Sequence, residues 1–149
     1  MQMDGFNICA GNPKMYEEAQ EVKTFTLAEA RSLLPKLRRL LPRVTSEREA
    51  ILDLRIEMDA VREKAELNSG SPFGPAYLSH LTAFTEAVEE VQSLGVQIKD
   101  FRTGLVDFPF ERDGRIVFLC WKLDEDEINF WHEMEAGFAG RQLLSDEPE

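Results

Sequence analysis

Apolar positions set the first part of the chain into a helical rhythm. Leu27, Ala30, Leu33, Leu34, Leu37, Leu40, Leu41 and Val44 recur every three or four residues, the spacing that gives a helix one buried stripe. Thr26 can accept a hydrogen bond from the first turn while Glu29 reaches back, so a capping box opens a helix over 27–44. Pro35 lies inside the stripe and Pro42 near its end, and each removes a backbone donor, so a break is expected between Arg39 and Ser46. A second helix over 46–67 follows, capped by Ser46 and Glu49, with Ile51, Leu54, Met58 and Val61 on a broad apolar face. NSGSPFGP, residues 68–75, reads as a connector. A third helix over 76–94 carries Tyr77, Leu81, Phe84, Val88 and Val91, and Gly95 ends it by accepting the left-handed conformation.

Beyond Gly95 the pattern shortens. Val96, Ile98 and Phe101 predict one short strand, Leu105, Val106 and Phe108 a second, and Ile116 to Trp121 a third. Asp113 and Gly114 between the last two are the pair favoured in a two-residue hairpin turn. Asp124 is placed to cap a final helix ending by Gly137, with Asp126 and Glu127 near its N-terminus and Ile128 and Trp131 inward. The expected fold class is α+β: an antiparallel bundle of about three helices, a small antiparallel β sheet and a short C-terminal helix. Residues 1–22 show no period and read as a flexible leader, 23–144 as one globular domain, and 145–149 as an acidic tail.

Charge narrows the classes of partner. The 149 residues carry a formal net charge of −11, which repels phosphate backbones and anionic lipid, so neither nucleic acid nor membrane is an expected partner. No stretch is long and apolar enough to span a bilayer, and the N-terminus lacks a basic segment followed by an apolar run, so a cytoplasmic location is expected. Arg31, Lys36, Arg38, Arg39 and Arg43 form a basic run without an intervening acid, whereas residues 111–149 hold 11 acids against 4 Lys or Arg. The run is expected to meet the acidic C-terminal part, within one chain or between subunits. Cys9 and Cys120 make no disulfide framework, and Cys120, in the most apolar strand, reads as a reduced and covered thiol.

The residues fitted for chemistry gather toward the C-terminus. His132 is one of only two histidines, and with Asp107 and Glu125 it offers the imidazole and carboxylate donors of a divalent transition-metal site such as zinc. Glu125 and His132, seven residues apart, would share one face of the predicted helix. The competing readings are a hydrogen-bonded structural His132, His132 as a catalytic base without metal, and an Asp107 paired with Arg141 or Arg102. As contacts to a ligand or substrate the sequence offers Asp107, Trp131 and Arg141, although Trp121, Trp131 and Phe138 are also accounted for by burial. No HExxH, paired CxxC, calcium loop or GxSxG elbow occurs.

FTLAEARSLLPKL at residues 25–37 is followed by Gly104, Leu105, Asp107, Phe108 and Pro109, then Cys120 and Trp121. Glu125, Ile128, Trp131 and His132 come next, and Gly137, Phe138 and Arg141 complete the series. This ordered set resembles the uncharacterised bacterial domain-of-unknown-function family 2203 over 23–144. The resemblance implies a small soluble bacterial protein without an assigned activity. Taken together, the sequence points to a structural or protein-interaction domain that self-associates through its helices or hairpin end. The alternative is a metal-binding protein, with hydrolysis of a small anionic substrate as its chemistry.

Overall fold

The computed structural model describes residues 22–64 and 72–144. Residues 1–21 of the expected leader, with Cys9, the end of the second predicted helix, residues 68–71 of the connector and the acidic tail lie outside the described residues. Helix α1, Leu27–Lys64, is one continuous helix of 38 residues, and α2 spans Gly74–Ser93. The capping box forms as the sequence requires: the Glu29 amide donates to Thr26 Oγ1 at 3.1 Å, and the Thr26 amide donates to Glu29 Oε2 at 2.8 Å.

The expected break at the prolines does not occur, so two helices stand where three were expected. Pro35 and Pro42 are seven residues apart and both lie on the exposed side of α1. Each ring and its missing donor thus fall on the solvent side, while Leu34, Leu37, Leu41 and Val44 continue one buried stripe past both. Ser46, expected to start a new helix, instead donates its hydroxyl to the Arg43 carbonyl at 3.2 Å, a bond made within a running helix. Gly95, at φ 87°, stands just beyond α2 as foreseen, and its amide donates to the Gln92 carbonyl. The two helices run antiparallel, with Lys36 beside Glu90, Arg43 beside Glu86 and His80 Nδ1 2.5 Å from Glu47.

The sheet is a five-stranded antiparallel meander in sequence order: β1 Gln97–Asp100, β2 Leu105–Arg112, β3 Arg115–Lys122, β4 Phe130–His132 and β5 Gln142–Leu143. Asp113 at φ 52° and Gly114 at φ 76° make the two-residue turn between β2 and β3. Phe101 lies in the turn after β1, with its ring 5.4 Å from Phe84 of α2. Strand alternation sends Val106, Phe108, Val117, Leu119, Trp121 and Trp131 into one cluster with Leu34, Leu37, Leu41 and Val91 of the helices. Asp107, Phe118, Cys120 and His132 are also buried, but on the face turned away from the helices.

The α+β class stands, while its last element differs: no C-terminal helix forms, and β4, a short 3-10 turn at Phe138–Gly140 and β5 take its place. Glu125 accounts for this. Its side chain accepts the Lys122 amide at 2.9 Å, its carbonyl accepts the Trp121 indole N–H at 3.0 Å, and its own amide donates to the Lys122 carbonyl. The chain turns back instead of starting a helix. Arg31 donates to the Ile128 carbonyl and Arg38 to the Asp126 carbonyl, so the basic run of α1 meets the acidic loop within one chain. As a strand, 130–132 directs Trp131 to the core and His132 to the opposite face, a separation that neighbouring helical positions would not give.

The sheet covers only the first half of α1, whose buried residues end at Val44; Leu52 and Ile56 further along are 39% and 68% exposed. Leu37→Ala should lower the unfolding free energy by about 2–5 kcal/mol, and Ile56→Ala should change it by less than about 0.5 kcal/mol, as read by urea denaturation. Equal losses would show that the distal half is packed as firmly as the proximal one.

Candidate metal centre

Three adjacent strands each contribute one side chain to a single point. Asp107 of β2 lies directly opposite Cys120 of β3, and His132 of β4 is paired with Phe118, two residues before Cys120 on the same face. Directly paired and diagonal side chains on one sheet face are within reach of each other. One ligand atom each from Asp107, Cys120 and His132 lies within 4.8 Å of the others, and His132 Nε2 is 2.9 Å from Asp107 Oδ2. All three residues are at most 2% exposed.

Hydrogen bonding decides what this cluster offers. His132 Nδ1 is 2.7 Å from the Glu133 carbonyl, which can only accept, so Nδ1 carries a proton and donates it there. Nε2 then faces the carboxylate either as the second N–H of an imidazolium or as a lone pair. Asp107 Oδ1 is buried and has no hydrogen-bond partner among the described residues. A buried carboxylate oxygen without a donor is costly, and a bound cation or an ordered water would satisfy it. A tetrahedral ion at ordinary bond lengths would set its N, O and S ligands about 3.3–3.6 Å apart, within the 4.8 Å that bounds this set. The donor types and their convergence therefore fit a divalent metal.

A cysteine nucleophile fits less well. Burial, and next the Asp107 charge, push the Cys120 thiol up to about 12, whereas an attacking cysteine needs a depressed value. His132 Nε2 is paired with the Asp107 carboxylate at 2.9 Å rather than with the Cys120 sulfur, so the imidazole–thiol pair of an activated cysteine is not formed.

Of the residues singled out from sequence, Asp107 and His132 meet, and Glu125 does not join them. Arg141 Nη2 lies 2.6 and 2.8 Å from the two oxygens of Glu125, one of which also accepts the Lys122 amide. The expected pairing of Asp107 with Arg141 or Arg102 is therefore replaced by the pairing with His132. The Arg102 backbone amide donates to Asp100 Oδ1 at 2.8 Å. The Arg141 guanidinium is stacked on Phe130 at 3.9 Å and Phe138 at 4.7 Å, which pins the C-terminal segment to this side of the sheet. Trp131 faces the helices beneath Arg112, across the sheet from the cluster. Cys120 is the member that reading its apolar strand missed. The hairpin register carried the signal, since Asp107 and Cys120 are equidistant from the Asp113–Gly114 turn.

Beside the cluster lies a cleft of about 200 Å³ whose lining includes Asp107 and His132 together with Lys99, Leu105, Glu135 and Phe138. Fold and site together define an α+β protein with two antiparallel helices on one face of a meander sheet and a buried Asp–Cys–His cluster on the other. The chain belongs to the DUF2203 family, described as an uncharacterized conserved protein, whose model matches residues 23–144. No curated protein and no solved structure matches it.

The thiol gives a direct check. In metal-free protein with Cys9→Ser at pH 8, a Cys120 thiol pushed up to about 12 by burial should react with a disulfide reagent about 10³-fold more slowly in the native state than in urea. The thiolate fraction rises about tenfold per pH unit below the pKa, so native labelling should quicken from pH 7 to 9. Rapid native labelling at pH 7 would show an accessible, ionised sulfur.

Proposed function

We propose that the protein binds a divalent transition metal, zinc for preference, through Asp107, Cys120 and His132. The observation that carries this reading is the convergence of a carboxylate, a thiol and an imidazole in a buried site, with Asp107 Oδ1 lacking a partner. His132 has the arrangement usual for a ligating imidazole, one nitrogen donating to a backbone carbonyl and the other directed at the site. Sulfur, nitrogen and oxygen in one set suit zinc or cobalt better than magnesium or calcium. Asp107 and the Cys120 thiolate supply two negative charges to balance a dication, and Cys120 surrenders its proton on binding.

Three protein ligands match the number found in catalytic zinc sites, where the ion polarises an oxygen ligand or makes bound water more acidic. The reading therefore extends to metal-assisted hydrolysis of a small anionic substrate. Arg141, expected from sequence to orient that substrate, is taken up by Glu125, and its role here is to hold the C-terminal segment over the sheet.

Elemental mass spectrometry on untagged protein should give about one metal per chain. Asp107→Asn, Cys120→Ser and His132→Ala should each lose most of it, while Glu125→Gln should retain it. Cobalt reconstitution separates ligand loss from misfolding, because Cys120→Ser should lose the sulfur-to-cobalt charge-transfer band and keep native circular dichroism. A folded wild-type protein that takes up neither zinc nor cobalt would overturn the metal reading.

Self-association is a second reading, favoured by the apolar residues of the distal helical arm, where Ile56 and Leu78 are 68% and 62% exposed. A second copy of the chain covering this arm would give a dimer in sedimentation velocity that Ile56→Glu converts to monomer. A wild-type monomer at high micromolar concentration would dispose of it.

A further inference from the structure

The cleft beside the cluster has a chemical character of its own. Its lining includes Asp107 and His132, so two of the three proposed ligands border the space. Leu105, Met134 and Phe138 make it largely apolar, Lys99 is its one Lys or Arg, and Glu135 its one acid besides Asp107. A volume of about 200 Å³ admits a molecule of only a few heavy atoms.

Lys99 owes its place to the sheet. Ile98 packs against the core, so strand alternation puts Lys99 on the opposite face, the one carrying Asp107, and the ladder is irregular between Ile98 and Asp100. Its ammonium lies 5.4 Å from the centroid of the Phe118 ring, which itself stacks against His132 at 5.5 Å. It forms no ion pair among the described residues. The other cations on this side are ion-paired: Arg141 with Glu125, and Lys122, whose ammonium lies 5.6 Å from the Phe138 ring, with Asp124.

We infer that this cleft binds a small monocarboxylate bearing a short apolar group, its carboxylate shared between the bound metal and Lys99 and its apolar group against Leu105, Met134 and Phe138. The inference rests on the metal reading. Asp107 and a Cys120 thiolate already balance a dication, so an anion entering beside them adds one uncompensated negative charge, and Lys99 offsets it. Exposed Glu135 repels a dianion about twice as strongly as a monoanion. The site therefore selects monoanions over dianions, and the apolar lining favours a short alkyl chain over a bare oxyanion.

The test uses the full chain loaded with cobalt(II), with butyrate, acetate and inorganic phosphate as probes. Butyrate should shift the cobalt d–d bands saturably, acetate should bind more weakly, and phosphate more weakly still. Lys99→Ala should weaken butyrate about fivefold, the effect of losing one partly exposed ion pair, while Lys99→Arg stays close to wild type. Lys99→Ala should leave cobalt stoichiometry and the thiolate-to-cobalt band unchanged, which separates anion recognition from metal binding. Absence of cobalt uptake would overturn the metal reading itself. A loaded protein with an intact thiolate band whose d–d bands ignore butyrate would overturn this inference alone. Phosphate binding as tightly as butyrate, or unchanged butyrate affinity in Lys99→Ala, would likewise overturn the assignment.

Discussion

The register of one hairpin governs this structure. Asp113 and Gly114, both at positive φ, allow β2 and β3 to be joined by two residues and no more. With that turn fixed, Asp107 must face Cys120 and Phe108 must face Leu119. A slip of one residue would exchange the faces, turning a carboxylate into the helix-packed core and Phe108 and Leu119 outward. The cost of burying that carboxylate against leucine makes the observed register the favoured one. The same alternation gives the sheet two dissimilar buried faces, one wholly apolar and one built around titratable side chains.

Closure of the second face depends on Glu125. Its carboxylate ends β3 by accepting the Lys122 amide and also receives Arg141 from the far end of the chain. Phe130 and Phe138 flank that guanidinium, so the segment after His132 is fastened by charge and by stacking together. The basic run of α1 grips the loop on the other side, through Arg31 and Arg38. Complementary charge in the two halves of the chain is thus spent within the molecule, and the acidic loop is held where β4 can pair with β3.

Much of this was legible because it is local. The capping box at Thr26 and Glu29, the stop at Gly95 and the turn at Asp113 and Gly114 each need only a few neighbouring residues. The α+β class followed from the change of period after Gly95. Continuity of α1 was not legible, since it depends on Pro35 and Pro42 facing solvent while the sheet covers the opposite side. The segment after Asp124 misled for a similar reason: acids that suit a helix start are bound by distant arginines, and the spacing of Ile128 and Trp131 fits a turn followed by a strand. In the cluster, Asp107 and His132 stood out by residue type. Cys120 was hidden because its neighbours mark a covered strand, although the hairpin register alone sets it opposite Asp107.

Helix α1 also has a thermodynamic division that its geometry does not display. At 1.5 Å per residue its 38 residues extend about 57 Å, and only the part up to Val44 lies in the core. Amides there are protected by whole-domain stability, whereas those of the distal part are held by a two-helix contact of partly buried side chains. Local opening is cheaper in the distal part, so hydrogen exchange along this one helix should fall into a slow proximal and a fast distal regime. An unbroken backbone ladder is therefore compatible with two cooperative units that open at different free energies.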